Sequence, residues 1–304
     1  MSSINTNASA MNALSTLRQI NSNLETTQSR ISTGLKVESG KDNASYFQIS
    51  TTMNSEKGMY GGINEAMTLA KSSVSTARLG AETLVDLTQQ FVDRLAFAQE
   101  EGVDQVAVGE ELEALVAQME TTISQSSFNG ENLISTAGTT AINGSALAVD
   151  VAGTKTVTTG ISRTGATLAT TTQDFAILDL ELYVDDGTTT GTGSLTAIAA
   201  DMKTGTTLNT QALLEGALTA ADTILGKLTG QATSLGVSEK AIETQQTFLG
   251  ELTDRIEVGV SAMVDANMEE EAARLQALQV QQQLATQSLS IANSAPQNIL
   301  SLFR

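Results

Sequence analysis

The sequence predicts a mainly α protein: an elongated rod of long, coiled-coil-like helices from both chain halves, with a small β-rich region in the middle. Three observations predict it. Apolar and small residues recur at alternating steps of three and four near both ends, the seven-residue pattern of helices that pack along a seam. The single proline stands at position 296, so the helices before it lack that breaker. Between about residues 130 and 173 the composition turns to Thr, Gly, Ala and Ser, which favours short strands and tight turns.

The first seam reads Ala10, Leu14, Leu17, Asn21, Leu24, Gln28, Ile31 and Leu35. The last reads Met268, Glu271, Leu275, Leu278, Gln282, Ala285, Leu289 and Ala292. Asn21, Gln28 and Gln282 place polar groups inside these seams, where such residues cost stability but fix register. No charged side chain stands between Leu275 and Phe303, and Arg18 is the first at the other end. A solvated helix carries charge on its outer face. A long chargeless stretch rich in Gln, Ser and Asn suits a helix enclosed by other protein, where an unpaired charge would be costly. Two readings follow: a helical hairpin that closes a monomer, or a self-association surface built from both termini.

Between the ends, glycines and short polar residues over Thr33–Asn43 mark a loop. Helix is expected from Ala44 to about Gly102, with Gly58, Gly61 and Gly62 as a weak point, and again from about Val106 to Ser126. The character changes at Phe128-Asn129-Gly130. Alternation over Ala146–Val151 and Leu178–Val184 predicts strands, the second the clearer, and Thr188–Ser194 reads as a loop. This middle reads as a surface insertion rather than a ligand site. Helix resumes at Leu195 and is expected to run almost unbroken from Asn209 to about Ser294, with Pro296 where a helix can stop.

Composition removes much chemistry. The chain has no Cys, His or Trp, so thiolate or imidazole metal sites and Ser-His-Asp or Cys-His nucleophiles are excluded. A net charge of −18 argues against nucleic acid and anionic membrane surfaces as partners. No run reaches the apolarity of a membrane span, and no cleavable secretory signal is visible. Glu269-Glu270-Glu271 reads as the start of the last helix, where carboxylates favour the dipole. Asp185-Asp186-Gly187 lacks the further ligands of a calcium loop. Gly58-Met59-Tyr60-Gly61-Gly62 follows no strand and so is no phosphate loop.

The ends also resemble a known family. Residues 1–14, opening Met1-Ser2-Ser3-Ile4-Asn5-Thr6-Asn7, are similar to the start of bacterial flagellins. So are Arg30-Ile31-Ser32-Thr33-Gly34-Leu35-Lys36, Lys41-Asp42-Asn43-Ala44 and Ser127-Phe128-Asn129-Gly130. The close, Leu289 to Arg304 with Ala295-Pro296-Gln297-Asn298-Ile299, resembles the family C-terminus, and the short length looks most like alphaproteobacterial members.

The resemblance implies a structural subunit of the flagellar filament, not an enzyme, that needs no cofactor and serves swimming motility. A hook–filament junction protein is the alternative. Residues 1–40 and 265–304 would be the terminal, inner-tube domain, and 41–264 a helical shell domain with a β-rich segment at about 130–190. Assembly would rest on Leu14, Leu17, Asn21, Leu24, Gln28, Ile31, Leu275, Leu278, Gln282, Leu289, Ile291, Leu300 and Leu302. The implied partners are further copies of the chain, the flagellar type III export apparatus, an export chaperone, and the filament cap and hook-junction proteins. The protein would be secreted and reside outside the cell, with no membrane insertion. One departure from the family pattern stands at Phe91, Asp93 and Arg94. Many family members carry a basic patch there that the innate immune receptor of animals reads, so weak recognition is expected.

Overall fold

A computed structural model describes residues 7–135, 152–164, 167–185, 193–205, 208 and 210–301, with backbone alone at 152–153 and 295–301. Among the described residues seven helices and four strands follow in order: α1 (Ala8–Thr33), α2 (Ala44–Phe97), α3 (Gln105–Gln125), β1 (Ser127–Phe128), β2 (Glu131–Asn132), β3 (Ala152–Thr164), β4 (Thr167–Leu178), α4 (Glu181–Val184), α5 (Leu195–Thr204), α6 (Gln211–Val264) and α7 (Met268–Ser301). The expected class is observed: long helices from both halves, with two small two-stranded sheets between them. Two compact units form, one from residues 1–58 and 253–304, the other from residues 59–252. The expected domain limits at 40/41 and 264/265 fall at element breaks, whereas the units divide inside α2 and α6.

In the first unit α1 starts under a side-chain cap. Asn7 Oδ1 accepts from the Ala10 N–H at 3.1 Å, satisfying one of the donors that a helix N-terminus leaves free. The helix stops at Gly34, whose φ of 74° only glycine adopts without strain, and its N–H closes on the Arg30 carbonyl. The next residues are clipped to the junction of α6 and α7. Lys36 donates to the Val264 carbonyl at 2.6 Å, and Ala266 donates to the Gly34 carbonyl at 2.8 Å. Here the sequence expectation of an almost unbroken helix is corrected. The chain breaks at 265–267, because Asn267 Oδ1 caps a new helix by accepting from Glu269 N and Glu270 N. Glu269, Glu270 and Glu271 then occupy its first turn as expected. The helix continues through Pro296 to Ser301 rather than stopping there.

The second unit has a filled core. On α2, Met67, Val74, Ala77, Ala81, Leu84, Thr88, Phe91 and Leu95 are buried, in steps of three, four or seven, and Ala98 just beyond its end continues the row. On α6, Leu214, Ala217, Ala221, Ile224, Leu228, Gln231, Leu235, Ser238 and Ile242 keep the three-four alternation. Helix α3 joins through Leu112, Val116, Met119 and Ile123, and α5 through Leu195, Ile198 and Met202. Close approach of α3 to α5 requires Gly109: a Cβ there would lie 2.5 Å from the Lys203 backbone nitrogen. The expected weak point at Gly58, Gly61 and Gly62 does not break α2, which is continuous across it.

Strands β3 and β4 form an antiparallel hairpin from Ala152↔Leu178 to Thr164↔Thr167, with a bulge between Thr158 and Gly160. Its base packs on the core through Val157, Phe175 and Ile177. Gln245 Nε2 holds the Thr159 carbonyl at 2.8 Å. The strand expected over Leu178–Val184 is also corrected: β4 ends at Leu178, and Glu181–Val184 is one helical turn. Asp179 Oδ1 accepts from Glu181 N at 3.1 Å and starts that turn. The spacing Leu180, Tyr183, Val184 then buries three side chains on one helical face. The expected strand at 146–151 lies outside the described residues, as does the expected loop up to residue 192.

Candidate functional site

The candidate site is the pair α1 and α7, which carries the residues singled out from the sequence. The two helices run antiparallel. Asn7 Nδ2 donates to the Ala292 carbonyl at 2.8 Å, Gln282 Nε2 to Asn21 Oδ1 at 2.8 Å, and Arg30 Nη1 to Glu271 Oε1 at 3.1 Å. These contacts fix the register along the whole pair. Two of the three polar seam residues, Asn21 and Gln282, therefore pair with each other, as register-setting groups do.

From Glu271 onward the α7 seam is the expected one, whereas Met268, expected to open it, is exposed. From Glu271 to Ala292 the only positions that are not exposed are Glu271, Leu275, Leu278, Gln282, Ala285, Leu289 and Ala292. The α1 seam is shifted. Leu17, Asn21, Leu24 and Ile31 face the pair, but Leu14 and Gln28 are exposed, and Ile20 and Thr27 are the buried positions. The true row is Ala10, Ala13, Leu17, Ile20, Leu24, Thr27 and Ile31. The signal was present in Ile20, the bulkiest apolar side chain between Leu17 and Leu24. Leu300 lies in the part of α7 described by backbone alone, and Leu302 lies outside the described residues.

At the base of the pair Glu271 is enclosed, its side chain 7% exposed, between Arg30 and Arg274, whose Nη1 stands 3.7 Å from the same oxygen. Its second oxygen, Oε2, is buried without a hydrogen-bond partner. Removing either arginine would leave a buried charge poorly compensated.

Helix α7 carries a second apolar row that sequence reading did not separate. Val280, Leu284 and Ile291 are 56%, 58% and 65% exposed. At 3.6 residues per turn they point about 200° from the seam on α1. A helix apolar on opposite faces, and chargeless beyond Arg274 in its described length, is built to be covered on both. On α1, Met11 and Leu14 are exposed as well.

The altered patch divides differently from expectation. Phe91 is fully buried in the core of the second unit, so it presents nothing outward. Asp93 and Arg94 are exposed, and Arg94 pairs with Glu111 of α3 at 3.3 Å. They line a shallow groove between α2 and α3 with Gln90, Leu115 and Gln118. Among the described residues no cluster of acidic side chains could hold a metal ion, and no helix is long and apolar enough to cross a membrane.

The class is that of a long-helix protein whose first and last helices, α1 and α7, form one pair that leaves apolar rows uncovered. Residues 4–139 match the family model for the bacterial flagellin N-terminal helical region, and residues 218–303 match that for the C-terminal helical region. The chain is 37% identical to Flagellin C of Rhizobium meliloti strain 1021 and 37% identical to a flagellin of Brucella melitensis biotype 1. It is 32% identical to Flagellin A of Rhizobium meliloti. Each alignment covers the whole of both chains. The chain belongs to the bacterial flagellin family. It is a structural subunit of the helical flagellar filament that serves motility, and none of these matches favours a hook–filament junction protein.

Proposed function

We propose that the chain extends the filament by packing the outer faces of α1 and α7 against further copies of itself. The observation that carries this is the second apolar row on α7, Val280, Leu284 and Ile291, in a stretch without charge. A hairpin that only closed a monomer would need one seam, and the outer row would carry charge. Leu284→Lys tests the reading better than a change at Leu289, because Leu289 is half-buried on the internal seam. Lysine at 284 stays hydrated in the free subunit and loses that water on assembly, at several kcal/mol per ion. The critical concentration, read by sedimentation of filaments against free subunit, should rise by about two decades or more. Filaments at the unmodified critical concentration would refute the proposal.

In this reading the protein is secreted through the flagellar type III export apparatus. An export chaperone covers the exposed rows beforehand, and the cap and hook-junction proteins bound the growing filament. Family membership and the uncovered apolar rows support this, since such surface is an aggregation liability unless covered. Loss of the subunit from the culture medium when the export apparatus is inactivated is the expected result. The exposed Asp93 and Arg94 further support weak activation of the animal flagellin receptor, because misplaced charge at an interface disfavours the wrong partner. A cell reporter assay against a flagellin with the basic pattern checks this, and equal potency would contradict it.

A further inference from the structure

Arg18 and Glu25 are the only charged side chains in residues 1–29 and 275–303 together. Both are exposed on α1, and neither enters an ion pair or side-chain hydrogen bond among the described residues. They stand seven residues apart, so they share one flank of the helix about 10.5 Å apart along its axis. Met11 and Leu14 lie on the same flank, and both are exposed. With Arg18 and Glu25 they form a row in steps of three, four and seven outside the seam on α7.

We propose that Arg18 of one copy pairs with Glu25 of a neighbouring copy when subunits pack along this flank. The inference rests on the reading that α1 and α7 form the assembly surface. Two charges enclosed there must lose water, and each needs a hydrogen-bonded opposite charge to offset that loss. Within these stretches the facing helices of another copy supply no other charged side chain, so a contact confined to them matches the two with each other. Pairing across copies, rather than within one helix, also sets the axial offset between neighbours. The Met11–Leu14 step provides the apolar part of the same contact, and the charge pair selects one register among the sliding alternatives that a smooth apolar row allows.

The test uses full-length chains carrying Arg18→Glu or Glu25→Arg, polymerised separately and as an equimolar mixture. Each variant alone places like charges together at the contact, and its critical concentration should rise at least tenfold. In the mixture, Glu at 18 of one chain meets Arg at 25 of the other, and native Arg18 meets native Glu25. The mixture should therefore polymerise within about threefold of the unmodified critical concentration. Rescue by mixing requires a pair between copies, because a pair within one helix stays mismatched in both chains. Unimpaired single variants, or impaired variants that mixing does not rescue, would overturn the proposal. Leu284→Lys run in parallel separates the two claims: if it still blocks assembly, the helix pair remains the surface and only the charge pairing fails.

Discussion

The two units use the same three-four spacing to different degrees of completion. In the second unit the main stripes meet in one filled core, where Phe91, Leu84, Leu112 and Ile224 are fully buried, while Leu69, Leu79, Val237 and Phe248 stay outside it. In the α1–α7 pair, among the residues whose side chains are described, only Ile20, Thr27, Glu271 and Leu278 are buried, while comparably apolar rows stay outside. Burying a large apolar side chain contributes about 1.5–3 kcal/mol, so the second unit holds itself together. The terminal pair is half of a contact. Spacing shows that a helix packs; only the number of stripes per helix, and the charge between them, shows how many neighbours it expects.

Substitutions break or sharpen this contrast. Phe91→Ala should have the largest effect on the free subunit, about 3–5 kcal/mol by urea unfolding. Gly109→Ala comes next, at about 1–3 kcal/mol, because its methyl group would drive α3 away from the Lys203 backbone. Leu278→Ala should cost only about 1 kcal/mol in the free subunit, because its cavity can be closed or wetted from the open side of the pair. A loss as large as that of Phe91→Ala would make the terminal pair a complete core and erase the contrast.

The smallest effect is expected at Glu120 of α3. Desolvation, and then the charges of Asp185 and Glu181, hold its carboxyl above the usual range. A raised acid binds its proton more readily in the folded state, so its charged form destabilises the fold above that range. Glu120→Gln should thus raise the melting temperature slightly at neutral pH. The gain should vanish as pH falls through the carboxylate range, where Glu120 is neutral in both states. A gain that persisted at low pH would assign it to packing instead.

Much of this was legible in the sequence. From Glu271 onward the α7 seam could be read residue by residue, since Gln and Ser separate its positions, although Met268 was wrongly included. The α1 seam was misphased because α1 carries two rows. Leu14 belongs to the outer one, and small residues such as Ala13 and Thr27 mark the inner one only weakly. Leu180, Leu182 and Val184 fit strand alternation, but Leu180, Tyr183 and Val184 fit a helical turn equally well, and the Glu181 N–H donating to Asp179 Oδ1 supports the turn. The Arg30–Glu271 pair joins residues 241 apart, a contact that no local pattern reveals.

Hydrogen exchange of the free subunit and of the filament, resolved along the chain, tests the central claim most directly. The account predicts that assembly slows exchange most at residues 8–29 and 276–301. Residues 74–98, 108–123 and 214–242, already enclosed in the subunit, should change little. Equal protection of α1 and α7 in both states, or a gain concentrated in the second unit, would contradict it.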